Sequence, residues 1–111
     1  MIKHFFFADK DAKETILPNG IKRRVLAYDN NLMVVEVHFP ATGTIGAMHT
    51  HPHEQITYIQ SGVFEFTIGD EKQIVKAGDT MYKEPNILHG CVCLEPGVLL
   101  DIFTPSRADF L

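Results

Sequence analysis

The sequence has little that would carry it to a membrane or to nucleic acid. Its N-terminal apolar cluster, residues 5–8, is four residues long, too short for the core of a secretory leader and far too short for a bilayer span. No basic run exceeds Lys22-Arg23-Arg24, and the formal charge is −4, which argues against a polyanionic partner. The triplet reads as a solvated strand end, with a local anion contact as the alternative. Cysteine is scarce too. Cys91 and Cys93 are the only two; one residue apart on a strand, they sit at the outer limit of disulfide reach with poorly directed side chains. They read as free thiols packed as small hydrophobes, which fits a cytoplasmic protein. There is no internal repeat, no low-complexity linker and no appended helix-turn-helix segment. A chain of 111 residues has room for one domain with a real core, spanning 1–111, and not for two. Helical patterning is nearly absent as well: only residues 9–15 offer a short helical turn.

What the chain does have is turn punctuation about every 8–12 residues, the spacing of a sandwich or barrel. Pro18-Asn19-Gly20, Asp29-Asn30-Asn31, Ser61-Gly62, Gly69-Asp70, Gly78-Asp79 and Glu95-Pro96-Gly97 separate short runs rich in Val, Ile, Phe and Tyr. Period-two alternation puts Phe64, Phe66 and Ile68 on one face and Glu65 and Thr67 on the other. Gly69-Asp70 then makes a hairpin into Lys72-Gln73-Ile74-Val75-Lys76. Val35, Val37 and Phe39 alternate with Glu36 and His38 in the same way. Residues 98–103 are apolar on both faces apart from Asp101, so one face should meet the barrel interior and the other a partner subunit. Tyr58, Phe64, Phe66 and Met81 are assigned to the core, and His4 and His38 to the surface. The fold class is all-β.

Chemistry concentrates in residues 43–62, where three of the six histidines, His49, His51 and His53, fall within five residues. Positions two apart on a strand share a face, so His49 and His51 can aim at one point. A bare apolar core has no use for two adjacent imidazoles, whereas a divalent cation does. Beyond Pro52 the next inward position is Gln55 or Glu54; Glu54 is one residue off register and should face away. Residues 78–89 end a second turn-bounded strand at His89. Three imidazoles and one oxygen ligand suit a divalent ion with open positions, and His53 reads as a rim residue. The plainer alternative, a set of hydrogen-bonded core histidines, does not account for three converging on one place.

These residues resemble a known pattern. Gly43, His49-x-His51, Gln55 and Gly62 are similar to the first cupin motif, and Gly78 through Pro85-Asn86-x-x-His89 to the second. About fifteen residues separate them, as in small single-domain cupins. The resemblance implies a small jelly-roll barrel with His49, His51, Gln55 and His89 as metal ligands, within 43–89 of the chain. One departure stands out: cupins usually carry glutamate where this chain has Gln55. A neutral ligand set leaves the ion's charge uncompensated and favours an anionic substrate group or hydroxide as a further ligand.

The closing segment, Asp101-Ile102-Phe103-Thr104-Pro105-Ser106-Arg107, is similar to that of the KdgF-type cupins of pectin and alginate breakdown, which also carry an Ile-Lys-Arg-Arg-like early strand. That resemblance implies ring opening and ketonisation of 4,5-unsaturated monouronates, with Gln55, Asp101 and Arg107 as catalytic positions and Phe103 in the substrate pocket. Asp101 would act as base, Arg107 would clamp the substrate carboxylate, and zinc, nickel or manganese would serve as the ion, iron less readily. It further implies a small anionic sugar as substrate and a homodimer. Two other classes fit the histidines: a three-histidine dioxygenase, and a metal-assisted sugar-binding module without turnover.

Overall fold

The protein is described here by a computed structural model covering residues 5–111; His4 lies outside the described residues. Ten strands follow a short 3-10 turn at Asp9–Asp11: β1 (Lys13–Ile16), β2 (Lys22–Tyr28), β3 (Met33–Phe39), β4 (Ile45–His49), β5 (Glu54–Ile59), β6 (Val63–Ile68), β7 (Glu71–Lys76), β8 (Thr80–Lys83), β9 (His89–Glu95) and β10 (Gly97–Thr104). A second 3-10 turn, Ala108–Phe110, closes the chain. The expected helical segment is thus cut short, because residues 13–15 pair with β2 instead.

All pairings are antiparallel and form two sheets. One runs β1-β2-β3-β10-β5-β8 and the other β4-β9-β6-β7. Their inner faces meet in a core where Phe64, Ile59 and Cys93 are fully buried, and Phe39 meets Phe64 edge-on at 5.0 Å. Burial of Phe64 and of Ile59 contributes about 1.5–3 kcal/mol each. A second cluster, Met33, Val35, Val25 and Phe103, lies under β2, β3 and β10. The two cysteines are free and buried, and desolvation pushes the Cys91 thiol up to about 12, so both stay protonated fillers.

Alternation decides which residues reach the interior. On β5, Gln55, Thr57 and Ile59 point inward while Glu54, Ile56 and Tyr58 point out. Tyr58 is therefore not a core residue, being exposed on the outer face. On β10, Leu99, Asp101 and Phe103 share the inward register and Leu100 and Ile102 the outward one. The outer surface of this sheet is unusually apolar, with Ile56, Tyr58 and Tyr82 exposed side by side.

Candidate metal centre and active site

The histidines converge between the two sheets. His49 ends β4, and His89 begins β9 rather than ending β8; the two are direct cross-strand partners. Between Gly46 and His49 the register slips by one residue, a bulge in β4 that re-aims the strand end. Gly90 permits this close approach: a Cβ there would meet the Gly46 carbonyl oxygen at 2.8 Å and the Met48 amide nitrogen at 2.9 Å. His51 lies past the strand, in a turn held by the Asn86 amide donating to the His51 carbonyl at 2.8 Å. Asn86 itself takes a positive φ of 67° after Pro85, a conformation asparagine tolerates better than most residues.

The ring centroids of His49 and His89 are 4.4 Å apart, of His51 and His89 4.8 Å, and of His49 and His51 5.4 Å. Their ligand atoms lie within 4.8 Å of one another. Two tautomers follow from the backbone. His49 Nδ1 stands 2.7 Å from the Ala47 carbonyl and His89 Nδ1 2.9 Å from the Ile87 carbonyl. A carbonyl only accepts, so both Nδ1 atoms carry the proton and both Nε2 lone pairs are left open. His89 Nε2 is buried without a partner. Desolvation holds His89 neutral down to about pH 4 and also lowers His51 and His53. Neutral imidazoles with open lone pairs fit a divalent ion.

Gln55 stands beside them, 4% exposed, with its Oε1 2.9 Å from His51 Nε2. Neighbouring ligands on one ion have a similar spacing. Its amide orientation is decided from behind. Gln55 Nε2 donates to Asp101 Oδ1 at 2.8 Å, and Asp101 can only accept, so Oε1 must face His51. Thr57, directly opposite Asp101 in the β5–β10 ladder, donates to the same oxygen at 2.6 Å. A glutamate at 55 would set two carboxylates against each other. That is a structural reason for glutamine where cupins usually have glutamate.

Sequence reasoning missed Lys83. It is 1% exposed, and its Nζ donates to Thr57 Oγ1 at 2.7 Å while lying 4.7 Å from the centre of the Phe66 ring. Burial lowers its pKa, and the charge of Asp101 works against that shift. Nothing near Lys83 in sequence marks it; only the pairing of Gln55 with both Lys83 and Phe103 brings β8 and β10 to one site.

A cavity of about 590 Å³ opens from this cluster, lined by His49, Gln55, Lys83, His89, Asp101 and Phe103, among others. Two guanidinium groups reach it. Arg107 packs over Phe103 and Phe110 and is gripped by Asp109 at 2.8 and 3.0 Å, which holds the Asp109 carboxyl below its usual range. Arg23 stacks on Phe110 at 3.8 Å and, among the described residues, makes no ion pair. The basic triplet is therefore not just a solvated strand end. Arg24 pairs with Asp9, Glu14 and Glu36, whereas Arg23 turns into the cavity. His53 sits 5.4 Å from His51 at the rim, outside the three-histidine group, and Glu54 faces out to accept from the Tyr82 hydroxyl at 2.5 Å.

A two-sheet barrel with a His-x-His pair, a third histidine from a later strand and an amide oxygen beside them defines the chain as a cupin. The family model described as Cupin domain matches residues 35–103, and the chain belongs to that family. Within it, the chain is 46% identical over 108 residues to the pectin degradation protein KdgF of Dickeya dadantii (strain 3937), covering 96% of this chain and 97% of that protein. Among solved structures it is similar to KdgF from Halomonas sp. (34% identity, TM-score 0.89, 98% and 100% of the two chains). It is similar also to an RmlC-like cupin from Shewanella frigidimarina (31% identity, TM-score 0.90, 98% and 97%). The chain is a small cupin resembling KdgF, and its three-histidine cluster is a candidate site for a divalent metal.

Proposed function

We propose that this protein is a metal-dependent, isomerase-type enzyme that opens the ring of 4,5-unsaturated monouronates from pectin or alginate breakdown and ketonises them to linear keto sugars. One observation carries the reading: Asp101 reaches into a histidine-lined cavity and fixes the Gln55 amide beside His51. The near-full-length likeness to a pectin degradation protein supports the substrate class.

His49, His51, His89 and Gln55 would hold the ion, zinc, nickel or manganese in preference to iron. When bound, it would supply a Lewis acid for the substrate carboxylate and for charge that develops on the enolate oxygen. The chain's own groups do the rest. Asp101 Oδ1 is occupied by Gln55 and Thr57, while Oδ2 has no partner among the described residues. That oxygen is the base that takes the proton of the anomeric hydroxyl. Phe103 and Phe110 wall the cavity and limit water. Of the two guanidiniums, Arg107 is already paired with Asp109, so Arg23 holds the unspent charge and Arg107 assists as a clamp.

In this reading the protein works in the cytoplasm as a homodimer. The subunit contact is the outer face of the larger sheet, where Ile56, Tyr58 and Tyr82 are exposed. The test is a mixture of lyase-generated unsaturated monomers with metal-loaded protein. Absorbance of the conjugated double bond should fall far faster than without protein. An unchanged rate would refute the proposal, and oxygen uptake by the ferrous form would favour a dioxygenase in its place.

A further inference from the structure

The proposed reaction is an isomerisation: one proton leaves an oxygen and one arrives on a carbon, with no net uptake. Asp101 accounts for the departure. Resting on that reading, we propose that Lys83 is the catalytic acid that protonates the sugar carbon, and that Thr57 connects it to Asp101 as a proton wire.

Three side chains from three adjacent strands carry the inference. Lys83 Nζ donates to Thr57 Oγ1 at 2.7 Å, and the Thr57 hydroxyl donates to Asp101 Oδ1 at 2.6 Å. Thr57 is fully buried and Lys83 is 1% exposed, so the chain is shielded from bulk water. Lys83 has three N–H groups and only one protein acceptor among the described residues. Lys83 lines the same cavity as Asp101, His49 and His89. A buried lysine kept only for charge balance would be expected to touch a carboxylate. This one meets Asp101 through a hydroxyl, and a hydroxyl can pass a proton either way.

The steps balance. Asp101 takes the proton from O1. The O1–H electron pair forms the C1=O bond, and the C1–O5 bond breaks with its pair on O5, leaving the enolate O5–C5=C4. The O5 charge then forms C5=O while the C4=C5 pair takes a proton from the Lys83 ammonium. Asp101 is now protonated and Lys83 neutral. The Asp101 carboxyl turns over so that its protonated oxygen faces Thr57; that proton passes to Thr57 Oγ1, and the Thr57 proton passes to Lys83 Nζ. The direction of both hydrogen bonds reverses and the resting state is restored.

The test compares wild type, Lys83→Met, Lys83→Arg and Thr57→Val, each metal-loaded and shown folded by circular dichroism, with metal content measured. Substrate is turned over in D2O, and product is sampled early by NMR. Wild type should place deuterium on one face of C4. Both Lys83 variants should lose about 100-fold in kcat with KM nearly unchanged, and deuterium should enter both faces from bulk solvent. Arginine keeps the cation but does not release its proton, so a charge-balancing lysine predicts rescue by Lys83→Arg and an acid predicts none. Thr57→Val should slow kcat while leaving the labelling one-sided, because the acid is present and only its recharging is impaired. Rescue by arginine, or one-sided labelling by Lys83→Met at an undiminished rate, would overturn the assignment and leave the uronate reading intact. Failure of wild type to turn over would overturn both.

Discussion

Replacing Gln55 by glutamate gives the most demanding check on the site, because it restores the usual cupin residue and should nevertheless do harm. The Gln55 amide donates to Asp101 at 2.8 Å. Two full negative charges at that separation repel by about 6 kcal/mol at an effective dielectric near 20. The metal-free variant escapes by binding a proton. For a carboxyl with an unfolded pKa near 4.3, that costs about 5 kcal/mol at pH 8 and under about 2 kcal/mol at pH 5.5. The ammonium of Lys83, one hydroxyl away, offsets part of the repulsion. Gln55→Glu in chelator should therefore be destabilised by about 3–5 kcal/mol at pH 8 and by at most about 2 kcal/mol at pH 5.5. The sign follows from a folded-state pKa raised above the unfolded one: the variant is least impaired at low pH and loses stability as pH rises. Urea unfolding at the two pH values measures it. An undisturbed variant at pH 8, or an equal loss at both values, would refute the idea that this amide spends its N–H on an ionised Asp101.

Other expectations follow from the same contacts. Without metal, wild type should lose stability as pH falls from 6.5 toward 4, where the unfolded chain binds a proton that His89 refuses in the fold; the shift is worth about 3 kcal/mol, and chemical unfolding across that range reads it. Arg23→Gln should raise KM for the uronate about tenfold or more with kcat little changed, since it removes the guanidinium not already paired with an acid; equal loss in kcat would assign Arg23 to the chemistry. Gly90→Ala should weaken metal binding measured by calorimetry, because its Cβ would push β9 from β4 and part His49 from His89. Ile56→Asp should convert a dimer to a monomer by light scattering if the outer sheet face is the subunit contact.

Much of this was legible in the chain. Turn spacing and alternation point to a two-sheet barrel, and His-x-His, Gln55 and His89 form a cluster at recognisable spacing. The parity that sends Gln55 inward also sends Tyr58 outward, so the exposed tyrosine was readable as well. Other features depend on partners remote in sequence. The bulge before His49 exists only in its pairing with β9. Lys83 looks like an ordinary polar residue between Tyr82 and Glu84 until β8 is laid beside β5. Arg23 and Arg24 look alike on paper, yet opposite faces of β2 send one to the cavity and the other to Asp9, Glu14 and Glu36.

Proton NMR of a 4,5-unsaturated monouronate with metal-loaded protein reads the proposed chemistry of the Asp101-braced Gln55 centre. The vinyl proton signal should vanish at a rate proportional to metal-loaded protein, replaced by the C4 methylene of a linear keto sugar. A vinyl signal that decays equally with and without the protein would contradict uronate conversion at this site.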